Sequence, residues 1–263
     1  MVTYCDYGRF GSSDGVAYMK HPKNQSIRSA WVLGSTSTVA IALCRGLAER
    51  GCSRFHLLAR NPARNQEVAS ELRDRFGALV SCEHFDLLAP PPAQPLLNEI
   101  FDLYLMASGS IGDAERARID PTEAQAIIQT NFTGLIPWLT AIVTPERIEQ
   151  PGGLWVFSSV AADRGRPSNY HYGAAKAGLL RFCEGLMLRC HGTPFAVRIF
   201  KAGFMASPMT EGRAPALLCA SPEQISSIVL RNPRRRGIET IPWWWIPLMF
   251  LVRQLPQAII KKL

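Results

Sequence analysis

Ala30-Trp-Val-Leu-Gly34 is an apolar run long enough for a short buried strand. It is followed at once by Ser35-Thr-Ser-Thr38 and then by an amphipathic stretch to Gly51. In that stretch Val39, Ala40, Leu43 and Leu47 share one helical face, so the three pieces predict a strand, a tight turn and a helix. Such a turn offers backbone N–H groups and a helix N-terminus to a pyrophosphate. Further apolar runs at Phe55–Ala59, Leu79–Phe85, Phe101–Ala107, Gly153–Phe157, Phe195–Phe200 and Gly237–Ile241 read as strands of the same kind. The predicted architecture is α/β: a doubly wound, mostly parallel, seven-stranded sheet with helices on both faces.

No Gly/Ser/Pro tract divides the 263 residues, and 47% of them are hydrophobic, enough for the core of one domain. Residues 1–28 show neither periodicity nor an apolar run of signal-peptide length, so they are expected to be a disordered extension of a cytoplasmic protein. The catalytic domain is then expected over 29–241, with a basic, aromatic segment over 242–263. The seven Cys include no Cys-x-x-Cys and no Cys/His grouping at metal-ligand spacing, which predicts small core residues in a reduced compartment and no metal.

The net charge of +8 is concentrated at the C-terminus, where residues 231–263 carry seven Arg/Lys against Glu239. A basic tail beside apolar residues points to a membrane surface or an acidic substrate before nucleic acid. Pro242-Trp-Trp-Trp-Ile-Pro-Leu-Met-Phe-Leu-Val252 is eleven residues around two prolines, and a bilayer span needs ~20. Two readings stand side by side. The three Trp with flanking cations fit a segment lying peripherally on the cytoplasmic membrane face, and they equally fit a helix that closes a pocket or a subunit interface.

Chemistry concentrates between Ser158-Ser159 and Tyr172-Gly-Ala-Ala-Lys176. On a helix Tyr172 and Lys176 are one turn apart on one face, and Ser159 emerges at the carboxyl end of a strand, where open α/β sheets bind ligands. A phenol is a poor acid-base catalyst at neutral pH until a fixed cation favours its phenolate, and Lys176 is expected to draw the Tyr172 pKa down. A chain of this composition shows Ser, Tyr and Lys at this spacing by chance about 0.01 times. The bland alternative is a half-buried aromatic and a solvated cation on an ordinary helix.

These residues resemble the active site of the short-chain dehydrogenase/reductase family, a Ser, a Tyr-x-x-x-Lys and an Asn on a Rossmann-like fold. The resemblance runs from about Ser29 to the C-terminus. It implies catalytic roles for Asn131, Ser159, Tyr172 and Lys176: Tyr172 as general acid/base, Ser159 holding the substrate oxygen, Lys176 binding the nicotinamide ribose and Asn131 organising a water chain. It implies a cofactor loop of Gly34, Ser35, Thr36, Ser37, Thr38 and Val39, in which Thr38 and Ala40 replace the family's second and third Gly and hydroxyls would meet phosphate oxygens. Arg60, with Arg64 nearby, follows the second strand at the position that meets the adenosine ribose, where a guanidinium suits the 2′-phosphate of NADP and so prefers NADPH over NADH. Arg60 beginning an exposed loop is the alternative, and His56 in that strand reads as a satisfied core histidine. Asp86 and Leu87 fall beside the adenine, and Ala107, Ser108 and Gly109 replace the usual Asn-Asn-Ala-Gly. Gly203 and Ser207 match a relaxed form of the Pro-Gly and Thr positions, and Phe204 to about Ala220 would be a substrate-facing lid.

The implied function is an NADPH-dependent oxidoreductase that reduces a carbonyl on a small-molecule or lipid-linked substrate, as a homo-oligomer. Leu33-Gly-Ser-Thr-Ser37, Ala107-x-Gly-x-x-Gly-Asp113 and the basic tail resemble keto-sugar reductases of the decaprenylphosphoryl-ribose epimerase type, which implies a keto-sugar on a polyprenyl phosphate. A reductase of a soluble or acyl ketone is the alternative enzyme. A regulator that senses NADPH without turnover is a third reading, which the intact Ser, Tyr, Lys and Asn oppose.

Overall fold

The structure, a computed structural model, describes residues 26–89, 99–207, 210 and 215–261. The extension expected over 1–28 therefore lies outside the described residues up to residue 25, as do Lys262 and parts of the expected lid. The strands are β1 (Ser29–Leu33), β2 (Arg54–Ala59), β3 (Leu79–His84), β4 (Leu103–Met106), β5 (Gly152–Ser159), β6 (Phe195–Ala202) and β7 (Gly237–Ile241). They form one seven-stranded sheet in the order β3-β2-β1-β4-β5-β6-β7, with every pairing parallel. The helices are α1 (Thr38–Ala48), α2 (Pro62–Phe76), α3 (Pro121–Asn131), α4 (Ile136–Ile142), α5 (Pro145–Ile148), α6 (Tyr170–Arg189), α7 (Pro222–Leu230), α8 (Trp245–Gln254) and α9 (Gln257–Ile260).

The uninterrupted apolar runs follow from this arrangement, because a parallel sheet is covered on both faces and its inner strands have no side for polar residues. Every residue of β1 and β4 is buried. Successive side chains divide between two cores, Ala30 and Val32 packing with Leu43, Leu57 and Ile225, while Trp31 and Leu33 pack with Trp138, Leu154 and Leu179. β3 is the edge, and its sequence Leu-Val-Ser-Cys-Glu-His is largely exposed. On the other flank the buried Arg198 guanidinium forks onto Glu239 at 2.6 and 3.1 Å and donates to Val229 O and Asn232 O, tying β6, β7 and the end of α7 together. His56 stacks on Trp31 and lies within bonding distance of Ser81 and Glu83, so its ring is satisfied, although it is half-buried and not in the core.

From β1 the chain winds outward to β3, then returns to place β4 on the other side of β1. The loops leaving β1 and β4 consequently meet at the carboxyl ends of adjacent strands, the switch point where this architecture binds ligands.

Candidate active site

Contact between these two loops demands glycine. Gly34 has φ 84, and a β-carbon there would lie 2.5 Å from Ser108 N. Its N–H donates to Leu58 O at 2.9 Å. Ser35 corrects an expectation. It is fully buried, and its hydroxyl donates to Asn65 Oδ1 (2.6 Å) and Leu58 O (3.1 Å), so it locks the loop onto β2 and α2 and faces no phosphate. Val39 likewise turns its side chain into the core, leaving only its backbone on the ligand side. Thr36, Ser37 and Thr38 remain half-exposed around the start of α1, where Ser37 Oγ accepts from Ala40 N.

Arg60 is exposed immediately beyond β2, and Arg64 is exposed in the first turn of α2. Asp86 is half-buried beyond β3 and accepts from Leu88 N, while Leu87 is buried and its carbonyl accepts from Gln129 Nε2. After β4, Ala107 is buried and Ser108 Oγ is shut from solvent with no partner, an orphan of the kind a bound polar group would satisfy. A groove with a glycine-tight floor, hydroxyls at a helix N-terminus, an orphaned Ser108 hydroxyl and a guanidinium at the end of β2 fits a dinucleotide.

The proton-transfer residues converge from three elements. α6 brings Tyr172 and Lys176 to one face, with the Lys176 ammonium 5.8 Å from the centre of the Tyr172 ring. Lys176 is buried, donates to Phe157 O at 3.1 Å and to Ser108 O at 3.5 Å, and burial holds its pKa down to about 8. Ser159 ends β5, and its hydroxyl accepts from Ala161 N at 3.1 Å, which aims it while starting the short 3-10 turn Val160–Asp163. Asn131 is the last residue of α3, beyond which Phe132 leaves helical geometry. Its fully buried amide donates to Ser110 O (2.6 Å) and Ile127 O (2.8 Å) and accepts from Ser110 N (3.2 Å), stitching the loop after β4 to the helix. A β-carbon at Gly109 would lie 3.0 Å from Asn131 Oδ1 and 3.3 Å from the Lys176 ammonium, so any side chain there would crowd both groups.

The Tyr172 phenol departs from expectation. Burial raises its pKa, hydrogen bonding with the Ser159 hydroxyl lowers it by less, and the net direction is upward. Lys176 does not reverse this because the ammonium is itself desolvated and sits over the ring at a distance.

Three supporting contacts were not legible as site features. Ser158 Oγ donates to Lys176 O at 2.9 Å, pinning α6 to β5; the Ser-Ser pair was visible, but not which hydroxyl faces inward. Lys201 pairs with Asp163 at 2.7 Å and ties the turn after Ser159 to β6. Trp245 is buried against Phe204, Val160 and Met249, and a β-carbon at Gly203 would overlap its indole. Gly203 N donates to Ile241 O, and Ser207 bonds with the Thr210 hydroxyl in the turn that follows.

That packing divides the tryptophan cluster. Trp245 is 4% exposed and Trp244 half-buried, while Trp243 is 71% exposed. The expectation that all three could lie at a membrane is thus corrected: α8 walls the site, and only Trp243 is free to face outward. Arg236 is also engaged, donating to Cys190 O and Thr193 O, and Arg235 pairs with Glu239. No helix among the described residues is long and apolar enough to cross a membrane.

A nucleotide groove at the β1/β4 switch point, with a Ser, Tyr and Lys beside it, defines an α/β dinucleotide-dependent oxidoreductase. The chain belongs to the short chain dehydrogenase family, whose sequence profile matches residues 28–217, and it is an NAD(P)-dependent oxidoreductase of that family. It is 34% identical over 246 residues to an uncharacterized oxidoreductase of Streptomyces coelicolor, covering 90% of this chain and 96% of the relative. It is 25% identical to the 3-oxoacyl-[acyl-carrier-protein] reductase FabG of Chlamydia muridarum, over 70% of this chain and 77% of that protein. Among solved structures, a short-chain dehydrogenase from Sphingobium yanoikuyae in complex with NADPH shares the fold with a TM-score of 0.72 at 20% identity, covering 88% of this chain and 98% of that one.

Proposed function

We propose that the protein is an NADPH-dependent reductase that converts a carbonyl to an alcohol, with Tyr172 as the proton donor and a lipid-linked keto-sugar as the substrate. The observation that carries the reading is the half-buried Tyr172 phenol over the buried Lys176 ammonium, beside Ser159. Reduction requires a protonated phenol at the start. Burial keeps Tyr172 in that form at neutral pH, while the Lys176 ammonium, with a pKa of about 8, is still charged there and stabilises the phenolate as it develops. NADPH, when bound, supplies the hydride. Ser159 holds and polarises the carbonyl oxygen, Lys176 also binds the ribose, and Asn131 orders the loop and proton supply behind it.

Gly34, Thr36, Ser37, Thr38, Arg60, Asp86, Ala107, Ser108 and Gly203 would hold the cofactor, with Arg60 reading the 2′-phosphate. The NADPH complex of the Sphingobium relative supports that cofactor. The lipid-linked substrate is supported by the outer face of α8, where Ile246, Phe250 and Leu251 are 58%, 63% and 59% exposed beside Trp243 and Arg253. Apolar side chains flanked by cations suit peripheral contact with an anionic membrane.

A soluble or acyl ketone is the second reading, favoured by the likeness to the Chlamydia 3-oxoacyl reductase. NADPH oxidation by the pure protein over a panel of soluble ketones, acyl ketones and lipid-linked keto-sugars decides between the two. Tyr172→Phe is expected to lower turnover on the active substrate by ~10²-fold or more while NADPH binding persists. Near-wild-type turnover in that variant would remove Tyr172 from the chemistry.

A further inference from the structure

The connection that begins at Ser159 and ends at Tyr172 also forms one wall of an open cavity of about 450 Å³, a size typical of small-molecule sites. Across it, Arg164, Arg166 and Tyr170 face Gln257, Ile260 and Lys261 of the C-terminal segment. Three of these six side chains are cations, and among the described residues no carboxylate lines the cavity. The acidic residues nearest in sequence or packing are engaged elsewhere, Asp163 with Lys201 and Glu115 with Arg118. Arg164 makes only a long bond to Leu255 O at 3.5 Å. Arg166 Nε is shut off from solvent without an acceptor, and burial lowers the guanidinium below its ordinary value.

A buried donor left unpaired costs about 1–3 kcal/mol, and more when it belongs to a charged group. Native structures therefore rarely keep one without a use. Nε itself is closed to solvent, so an anion in the open cavity would meet the rest of the Arg166 guanidinium, beside two further cations. A single carboxylate would leave most of that charge uncompensated, whereas a phosphate or diphosphate supplies several oxygens and more than one negative charge, and a guanidinium can bind it through two parallel hydrogen bonds.

We infer that the cavity of Arg164, Arg166 and Lys261 is an anion subsite that binds a phosphate or diphosphate group of the substrate. This rests on the carbonyl-reductase reading for its link to Tyr172. Tyr170, in the cavity wall, precedes Tyr172 by two residues on α6, about 3 Å along the helix axis and about 200° around it, so the cavity and the phenol lie on different sides of the helix and a ligand joining them passes its N-terminal end. Arg166 lies six residues before Tyr172, so their Cα atoms are no more than about 20 Å apart. A substrate whose phosphate and carbonyl are separated by an extended arm of up to that length can occupy both, with its phosphate in the cavity and its carbonyl at Tyr172.

The test is calorimetric titration of the full chain with inorganic pyrophosphate in saturating NADP, which fills the cofactor's own phosphate contacts. Saturable one-site binding is expected, weakened at least about tenfold in Arg166→Gln and severalfold in Lys261→Gln, and unchanged in Tyr172→Phe. Arg166→Gln removes a desolvated charge, and Lys261 is exposed near the chain end, so both variants should fold, with retained NADPH binding as the check. Vesicles of phosphatidylcholine with and without a polyprenyl phosphate separate the sources. Co-sedimentation that requires the lipid phosphate and is lost in Arg166→Gln places the group on a lipid; pyrophosphate binding without it places the group on a soluble substrate. NADPH binding without pyrophosphate binding, or pyrophosphate binding that both substitutions leave intact, overturns the subsite. Pyrophosphate binding through Arg166 in a protein that takes no NADPH would instead refute the reductase reading and leave the anion site standing.

Discussion

Replacing Lys176 with Met separates the cost of a buried charge from its use. The ammonium is 3% exposed, and burial moves its pKa from 10.5 to about 8. Because the folded value lies below the unfolded one, the unfolded chain binds more protons between those two pH values, and stability rises with pH through that window. The penalty is fully present below about pH 8 and relieved above about pH 10.5, and the gap corresponds to on the order of 3 kcal/mol. Buried Cys44, Cys52 and Cys183, whose thiols burial pushes up, act in the opposite sense at alkaline pH. The difference between wild type and Lys176→Met cancels Cys44 and Cys52 and leaves the coupling between Lys176 and Cys183, which is secondary to burial for both groups. Denaturant unfolding of both proteins from about pH 7 to pH 10.5 should show the wild type gaining on the variant by up to about 3 kcal/mol, while the variant has lost turnover throughout. A stability difference that stays flat across this range would refute a desolvated, charged Lys176, whatever happens to activity.

Arg60→Asp should weaken NADPH binding by about tenfold or more with little effect on NADH, since a like charge then meets the 2′-phosphate; an unchanged affinity ratio in titrations of both cofactors would take Arg60 out of cofactor choice. Phe250→Ser combined with Leu251→Ser should reduce sedimentation with anionic vesicles while leaving thermal stability near that of wild type, because both side chains are already exposed. If the pair instead dissociates an oligomer and leaves vesicle binding alone, this face meets a second copy of the chain.

The sheet was legible because its physics is local. Runs such as Ala30–Leu33 and Leu154–Phe157 are apolar at successive positions, as only strands covered on both faces require, and each ends in a turn with Gly or Ser. The Tyr172–Lys176 spacing was legible for the same reason, since helical periodicity alone puts the two on one face. Ser35 was misjudged because a hydroxyl in a phosphate-sized turn is chemically equivalent whether it faces outward or back to Asn65, and the partner lies on another element. The direction of the Tyr172 pKa failed similarly. One turn of helix predicts a neighbouring cation, but the burial that dominates is contributed by elements distant in sequence.

The C-terminal segment shows where composition misleads. Trp-Trp-Trp flanked by cations reads as one surface, yet α8 begins only at Trp245, and the turn through Trp243 and Trp244 that precedes it leaves the three indoles with different burial. Trp245 turns inward over Gly203 and Phe204, and Trp243 turns outward. The two readings offered by the sequence are therefore not exclusive: one side of α8 closes the site next to Ser159, and the opposite side carries Ile246, Phe250 and Leu251. A segment built this way carries an outward apolar face and a wall of the catalytic groove on one helix. Phe250 follows Met249 directly and lies five residues, about 1.4 turns, beyond Trp245, so whatever meets the outer face of α8 would bear on the same helix that packs beside Ser159.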